Sequence, residues 1–564
     1  MKKMLYSLFG AFLIMSCNTS QETVATQTET TVKTDSVKQN TNHKPKLIVG
    51  IVVDQMRADY ISRFWEKYGE KGFKRMINNG FHLKNTHFNY VPTYTGPGHA
   101  SVYTGTTPRN HGIIANNWFD KQIAERVYCA GDNSVKPVGT NSKAGKMSPS
   151  RMKTTTFGDQ NRLHTQFRGK TIGIALKDRG AILPSGHTAN AAYWFYGEDE
   201  GNFISSSFYQ EDLPEWVQSF NQSGKAASYL KIWNTLYPIE NYTESGTDKN
   251  SYEFGFDGKE DATFPYDLAG LKAENDNFDI LKATPYGNNL TTDFAIAAIK
   301  AENLGKDNFT DVLTLSYSST DYVGHNFGVN SKEVQDTYLR LDQDIARLLE
   351  TLDQEVGKGK YTVFLTADHG GVNVPNFLKD HKIPAGYFSN STLRKELNKF
   401  LGNNYAATNL IANVSNNQVF FDYNALGEKN IKAKDLEAEI ANFLLQQEGI
   451  YQVYTRSNMQ NAGFTEKRAK LIQNGFNQKR SGDVVYVLDP AHVSYPSKGS
   501  THGSALNYDT HVPLIFYGNG IKKGKTYRES HITDIAPTIS ALLEIAFPNN
   551  ATGDVLYEIL KTTD

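Results

Sequence analysis

The chain has 564 residues, 39% of them hydrophobic, which is enough for one large α/β domain with insertions or for roughly three or four ordinary domains. Its 59 basic and 60 acidic residues give a formal net charge of −1, which argues against nucleic acid as a partner because no global basic field exists. The two cysteines, Cys17 and Cys129, are too few for a disulfide-rich scaffold or for a zinc site built on several thiolates. Any metal chemistry must therefore use histidine and carboxylate ligands.

The N-terminus has the organisation of a secretory signal. Lys2 and Lys3 precede an apolar run over residues 4–15, which is too short to span a membrane. The run ends in LIMSC, which resembles the cleavage box of bacterial lipoproteins, where the cysteine becomes the acylated first residue. We expect residues 1–16 to be removed and Cys17 to attach an exported protein to a membrane, as a periplasmic or outer-membrane-anchored lipoprotein of a Gram-negative bacterium. A plain signal peptide cut at a neighbouring small residue is the alternative.

A polar segment separates this signal from the folded part. Residues 17–45 are rich in Thr and Gln and contain no aromatic residue, so they cannot bury enough surface to offset the entropy of ordering. We expect them to form a flexible tether, followed by a catalytic domain over residues 46–564.

The folded part begins with a strand signal. Residues 46–54 (KLIVGIVVD) are an almost unbroken apolar run that ends in Asp54. This is typical of a strand buried on both faces that delivers a side chain to the carboxyl edge of a parallel sheet. The same pattern recurs at residues 311–321, 361–369 and 511–518.

A helix is predicted between the segments at 311–321 and 361–369. The apolar residues that recur there at helical spacing are Leu341, Ile345, Leu348 and Leu352. Asn330 followed by Glu333 predicts a capping box at the start of this helix.

This alternation of strand and helix, with polar residues at strand ends, predicts a doubly wound, mostly parallel α/β sheet with helices on both faces. Two stretches, about residues 120–309 and 372–500, fall outside the alternation and are too long for loops. We expect both to be insertions that roof the active site.

Aspartate and histidine recur near the predicted strand ends, and both are ligands that zinc accepts when thiolates are absent. Taken alone, each is more typical of a helix cap, a loop anchor or a surface residue. Their joint occurrence predicts a metal site, and Asp321 and His325 could reach one metal across a helical turn. The candidate ligands are Asp54, Asp321, His325, Asp368, His369 and His502.

A candidate nucleophile lies in residues 92–112 (PTYTGPGHASVYTGTTPRNHG). Thr95 precedes Gly96 and Pro97, which predicts a hydroxyl at the start of a helix with proline in its first turn. A helix N-terminus stabilises negative charge, and a zinc ion would hold the hydroxyl as an alkoxide. The alternative is that Thr95 only caps the helix, because threonine is a preferred capping residue.

Seven segments together resemble the alkaline phosphatase superfamily. In chain order they read VGIVVDQMR, TYTGPGHASVYTG, TPRNHGI, STDYVGH, TADHGG, STHGS and ITDIAPTISALL. More narrowly, the chain is similar to the PafA-type phosphate-irrepressible alkaline phosphatases and to the related nucleotide pyrophosphatase/phosphodiesterases. The likeness runs from about residue 46 to the C-terminus.

This resemblance implies two zinc ions per chain and a phosphothreonine intermediate on Thr95, with net retention at phosphorus because two displacements occur. It implies one zinc on Asp321, His325 and His502, and a second zinc, which also holds Thr95, on Asp54, Asp368 and His369. We expect an alkaline phosphatase that acts as a monomer on small-molecule phosphomonoesters.

The substrate class depends on the groups around the nonbridging phosphoryl oxygens. The resemblance implies that Lys177 and Arg179 bind the extra charge of a monoester and that Asn116 holds another phosphoryl oxygen. A phosphodiesterase of the same superfamily is the alternative. A dedicated sulfatase is not expected because Thr95 cannot become formylglycine, and a lipoprotein that binds ligands without turnover would not need a nucleophile.

Overall fold

The structure is a computed structural model that describes residues 44–561. The predicted signal segment, the Cys17 acylation site and residues 17–43 of the predicted tether lie outside the described residues. Within residues 44–561, Cys129 is a buried free thiol. The same residues contain no helix whose length and apolarity would let it cross a membrane.

Eleven strands of the described chain form one central sheet. They are β1 (Leu47–Val53), β2 (Phe81–His87), β3 (Pro137–Val138), β4 (Thr171–Ala175), β5 (Ala191–Tyr196), β6 (Asn202–Ser206), β7 (Asp311–Tyr317), β8 (Tyr361–Thr366), β9 (His511–Gly518), β10 (Gly524–Thr526) and β11 (Ser530–His531). Their order across the sheet is β10-β2-β9-β8-β1-β7-β4-β5-β6-β3, and β11 pairs with β2.

The centre of the sheet is parallel, as predicted. Strands β8, β1, β7, β4 and β5 run in one direction, and every residue of β1 is buried. Strand β9 was predicted from the same apolar pattern, yet it runs antiparallel to both β8 and β2. The sheet is therefore mixed at β9. Its direction could not be predicted because an apolar run indicates that a strand is buried but not which way it runs.

Helices cover both faces of the sheet, which confirms the predicted fold class. They include α1 (Thr95–Thr104), α2 (Asp178–Ser185), α3 (Pro285–Ala301), α4 (Ser319–Phe327), α5 (Lys332–Leu352) and α6 (Ile535–Leu543). A side chain added at Gly50 of β1 would overlap the Tyr103 hydroxyl, so α1 lies on that face. Thr314 of β7 is paired with Gly50 in the sheet. Tyr317, three residues after Thr314, points to the opposite face of the sheet and contacts Thr292 of α3 at 3.0 Å, so α3 lies on that opposite face.

The predicted start of α5 was wrong by one residue. Ser331 is the capping residue, and its hydroxyl accepts a hydrogen bond from the Val334 N–H at 3.1 Å. The Asn330 amide instead donates to Asn373, and the Glu333 carboxylate accepts from Tyr266. Both side chains of the predicted capping box are therefore used in tertiary contacts. The four apolar positions predicted for this helix are all fully buried.

The two long segments differ in how they relate to the sheet. Residues 120–309 contribute β3 to β6, α2 and α3, so part of this predicted insertion belongs to the central α/β layers. Residues 372–500 form a separate four-stranded sheet in the order Ile411–Ser415, Gln418–Phe421, Val484–Leu488 and Ile450–Thr455. Its apolar core includes residues of the helices Asn390–Tyr405 and Ala433–Leu445.

Further elements complete the fold. Within residues 44–561, the other helices of at least eight residues are Phe157–His164, Glu215–Gln222 and Lys467–Gly475. A hairpin of Asn117–Asp120 and Glu125–Tyr128 follows α1.

Candidate active site

The carboxyl ends of four adjacent parallel strands meet at one edge of the sheet. Asp54 directly follows β1, Asp321 lies in the first turn of α4 after β7, and Asp368 follows β8. Lys177 comes two residues after β4. This is the edge where doubly wound sheets bind ligands.

The six predicted ligand residues form two groups, in each of which the potential ligand atoms lie within 4.8 Å of one another. We call Asp321, His325 and His502 site A, and Asp54, Asp368 and His369 site B. The two sites are adjacent, since the imidazole rings of His369 and His502 stack with centroids 3.4 Å apart.

Site A is the more open of the two. Asp321 Oδ1 lies 3.3 Å from His325 Nε2 and 3.7 Å from His502 Nε2. The His325 side chain is 25% exposed, whereas the three side chains of site B are fully buried. Site A is therefore the group that small molecules can reach more directly.

Site B is compact and contains atoms that lack a partner. His369 Nε2 lies 3.3 Å from Asp54 Oδ1 and 3.6 Å from Asp368 Oδ2. All three atoms are buried without a hydrogen-bond partner among the described residues, and so is the Thr95 hydroxyl. Because buried polar atoms otherwise find partners, the convergence of the three site B atoms fits a metal ion, and their carboxylate and imidazole donors suit zinc.

Backbone carbonyl groups orient all three histidines. The Nδ1 atoms of His325, His369 and His502 lie 2.7, 2.9 and 2.7 Å from the carbonyl oxygens of Ser500, Gly370 and Thr93. A proton on Nδ1 that is donated to the carbonyl leaves Nε2 free as a ligand. Each imidazole therefore presents Nε2 to its site.

Lys177 lies between the two sites. Its ammonium is 2.5 Å from Asp54 Oδ2 and 2.5 Å from Asp321 Oδ2. Burial opposes ionisation of Asp54, but the nearby ammonium holds the pKa of this carboxyl below its usual value. Burial and the neighbouring Asp54 carboxylate raise the pKa of Asp368 well above its usual range. Site B therefore favours additional positive charge.

Thr95 does not cap its helix, so the capping alternative is wrong. Tyr94 is the capping residue of α1, and Thr95 is the first residue of the helix. His99, one turn later, lies 2.9 Å from the Thr95 carbonyl oxygen and 3.3 Å from Asp368 Oδ2. The first turn of α1 thus packs against site B, and the buried Thr95 hydroxyl has no partner in the part of the chain that the structure describes.

The residues predicted to bind phosphoryl oxygens lie around this turn. Asn116 is half-buried, and its side-chain oxygen accepts a hydrogen bond from the Gly96 N–H at 2.7 Å. This contact leaves the amide nitrogen of Asn116 available as a donor. Lys177 is buried and Arg179 is half-buried, at the start of α2.

Two tyrosines beside the site were not predicted from the sequence. Tyr128 accepts a hydrogen bond from Arg179 Nη1 at 3.1 Å and donates one to Asp178, so it fixes the guanidinium. The Tyr495 ring stacks on His325 with centroids 5.5 Å apart. Neither tyrosine lies in a recognisable motif, and both contacts depend on segments that only the tertiary structure brings together.

The chain is similar to known hydrolytic enzymes. The type I phosphodiesterase / nucleotide pyrophosphatase family matches residues 48–512. A protein of Myroides odoratus named calcium-transporting ATPase is 45% identical over 92% of this chain and 95% of its own length. Alkaline phosphatase PafA of Elizabethkingia meningoseptica is 44% identical over 93% of this chain and 96% of its own length.

A solved structure shares the whole architecture. The crystal structure of wild-type alkaline phosphatase PafA superposes with a TM-score of 0.89 at 43% identity and covers 92% of this chain and 99% of that chain. The expectation of an alkaline phosphatase-like enzyme fold is confirmed. The chain belongs to the type I phosphodiesterase / nucleotide pyrophosphatase family of hydrolytic enzymes.

Proposed function

We propose that this protein is a zinc-dependent alkaline phosphatase that hydrolyses organic phosphate monoesters through a phosphothreonine on Thr95. One observation carries the proposal: the buried Thr95 hydroxyl, without a partner among residues 44–561, lies at a helix N-terminus beside two adjacent groups of metal-ligating side chains. The relatives named alkaline phosphatase, at 44% and 45% identity over most of the chain, support the same activity.

The reaction consists of two in-line displacements. Two zinc ions bound at sites A and B would stabilise the negative charge on the attacking and leaving oxygens. Thr95 Oγ1 loses its proton to solvent and attacks phosphorus, the bond to the leaving oxygen breaks, that oxygen takes up a proton, and a phosphothreonine forms. Water then attacks from the side that the leaving group vacated and releases inorganic phosphate and the Thr95 hydroxyl. Two inversions give net retention at phosphorus.

The chain's own groups orient the phosphoryl oxygens. The amide nitrogen of Asn116 and the guanidinium of Arg179 are donors available around the first turn of α1, and the Lys177 ammonium, paired with Asp54 and Asp321, adds positive charge between the two sites. A phosphate monoester carries one more negative oxygen than a diester, so cations at this position favour the monoester. This supports a monoesterase over the alternative phosphodiesterase.

Metal removal tests the proposal directly. Treatment with a strong chelator is expected to lower turnover of an aryl phosphate monoester at least about a hundredfold, because the charges in the transition state lose their Lewis acid. Adding zinc should restore turnover, and elemental analysis of the restored protein should find two zinc ions per chain. The matched control is chelator already saturated with zinc, which should have no effect. Restoration by calcium alone would contradict a zinc site.

The same proposal includes export. The basic residues, short apolar run and LIMSC motif of the first 17 residues support removal of residues 1–16 and acylation of Cys17. Mass spectrometry of the protein from a bacterial envelope should find a diacylglyceryl-modified Cys17 at the mature N-terminus. A Cys17→Ser variant is the control, since it should be released from the membrane fraction with unchanged turnover. An intact Met1 in the envelope protein would contradict export by this route.

A further inference from the structure

Gln55 directly follows the site B ligand Asp54 and has an unusual backbone. Its φ is +58°, in the left-handed region that side chains other than glycine, asparagine and aspartate rarely adopt. The side chain is also buried, with 2% exposure. A strained and buried glutamine at a strand end calls for a local reason, because such outliers persist only where the surroundings hold them.

The contacts of Gln55 reach both metal-ligand groups. Its side-chain amide donates a hydrogen bond to Asp321 Oδ1 of site A at 2.7 Å. Its backbone N–H donates to Asp368 Oδ1 of site B at 3.2 Å. Its carbonyl oxygen accepts from the Tyr338 hydroxyl of α5 at 3.1 Å, which anchors the turn. One residue therefore bonds a carboxylate in each site.

Two glycines make room for the Gln55 side chain. A Cβ at Gly324, between Asp321 and His325 on α4, would overlap Gln55 Oε1. A Cβ at Gly371, two residues after His369, would lie 3.2 Å from Gln55 Cγ. The side chain thus occupies a gap between the segments that carry the ligands of both sites.

We propose that Gln55 is a positioning residue for both metal sites, whose side chain fixes Asp321 of site A and whose backbone fixes Asp368 of site B. The proposal rests on the two zinc sites of the proposed function. Groups that hydrogen-bond to ligating carboxylates orient them, and their loss costs about 10- to 100-fold in metal affinity. Because only the side chain reaches Asp321, removing it weakens site A and leaves the backbone contact to site B in place.

The substitution Gln55→Gly separates this role from a structural one. Glycine suits the left-handed backbone, which offsets part of the cost of emptying the gap, so we expect the metal-free variant to fold. Gln55→Met keeps a side chain of similar length in the gap but cannot donate to Asp321. Gln166→Gly is the matched control, because Gln166 is exposed at a φ of +52° and precedes β4, at the end of that strand opposite the site.

The readout is zinc retention. Zinc-loaded full-length wild type and variants are titrated with a competing chelator, and the zinc left per chain is measured. Wild type and Gln166→Gly should release both ions at similar chelator concentrations. Gln55→Gly and Gln55→Met should each lose one ion about 10- to 100-fold more readily and hold the other as wild type does. In a His325→Ala background, where site A is already impaired, the Gln55 substitutions should have no further effect.

The outcomes distinguish the two proposals. Wild-type zinc retention in both Gln55 variants would overturn the positioning role and leave the proposed function standing. Normal retention in Gln55→Met alone would also overturn it, because the side chain would then only fill space. A wild-type chain that binds no zinc would overturn both proposals.

Discussion

Replacing Thr95 by alanine is expected to lower turnover of an aryl phosphate monoester by at least about a thousandfold, because the substitution deletes the nucleophile. The Thr95 hydroxyl is buried, lacks a hydrogen-bond partner among the described residues and does not cap α1. Its removal therefore breaks no hydrogen bond of the described fold. Thr95→Ser retains the attacking oxygen and is expected to keep turnover within about tenfold of wild type.

The phosphoenzyme provides an independent measurement. Acid quenching during turnover should trap a phosphate on the Thr95 side chain in wild type and on the replacing serine in Thr95→Ser, detectable by mass spectrometry of the tryptic peptide. Thr104→Ala, at the other end of the same helix, is the control and should retain turnover, since its hydroxyl bonds only to the Ala100 carbonyl among the described residues. Full turnover in a folded Thr95→Ala protein would exclude the threonine mechanism.

The strand ends were predictable from the sequence because apolar runs and terminal carboxylates are local features. The run that precedes Asp54 is β1, and the runs that precede Asp321 and Asp368 are its two neighbours in the sheet. Parallel strands bring their carboxyl ends to one edge, so residues far apart in the chain meet there. The candidate ligands that follow these runs could therefore be selected without coordinates.

Other features depend on contacts that the sequence does not encode locally. Strand β9 carries the same apolar signal as β1, but its direction is set by its connections within the sheet. Strands β4 to β6 lie within residues 120–309, which were predicted to be an insertion, so their membership in the central sheet was missed. The left-handed backbone of Gln55 is equally invisible in sequence, since glutamine is not typical of that conformation.

The choice between monoester and diester is expected to depend on Arg179. Arg179→Ala should lower kcat/KM for an aryl phosphate monoester about a hundredfold or more, and kcat/KM for a matched diester by less than about tenfold. In Arg179→Ala the additional charged oxygen of the monoester loses the guanidinium that pairs with it, whereas the diester has an uncharged ester oxygen at that position. The guanidinium is bonded to Tyr128 and not to a ligand carboxylate, so its removal leaves sites A and B intact.

Lys177 is expected to behave differently from Arg179, although both were assigned to the same phosphoryl oxygen. Its ammonium lies 2.5 Å from carboxylates of both sites, so Lys177→Ala removes a positive charge that these carboxylates share. For Lys177→Ala we expect a large loss of kcat/KM for the monoester and a smaller but measurable loss of kcat/KM for the diester. Zinc retention measured on the same preparations should be unchanged in Arg179→Ala and altered in Lys177→Ala.

The control for both substitutions is Arg168→Ala, which removes an exposed cation that precedes β4, at the end of that strand opposite the site. Both kcat/KM values should stay at the wild-type level in this variant. Equal losses on monoester and diester in Arg179→Ala would mean that the guanidinium holds the local structure instead of the substrate. A higher kcat/KM of the wild type for the diester than for the monoester would favour the phosphodiesterase alternative. The cations would then not increase activity on the preferred substrate, because a diester lacks the second negative charge.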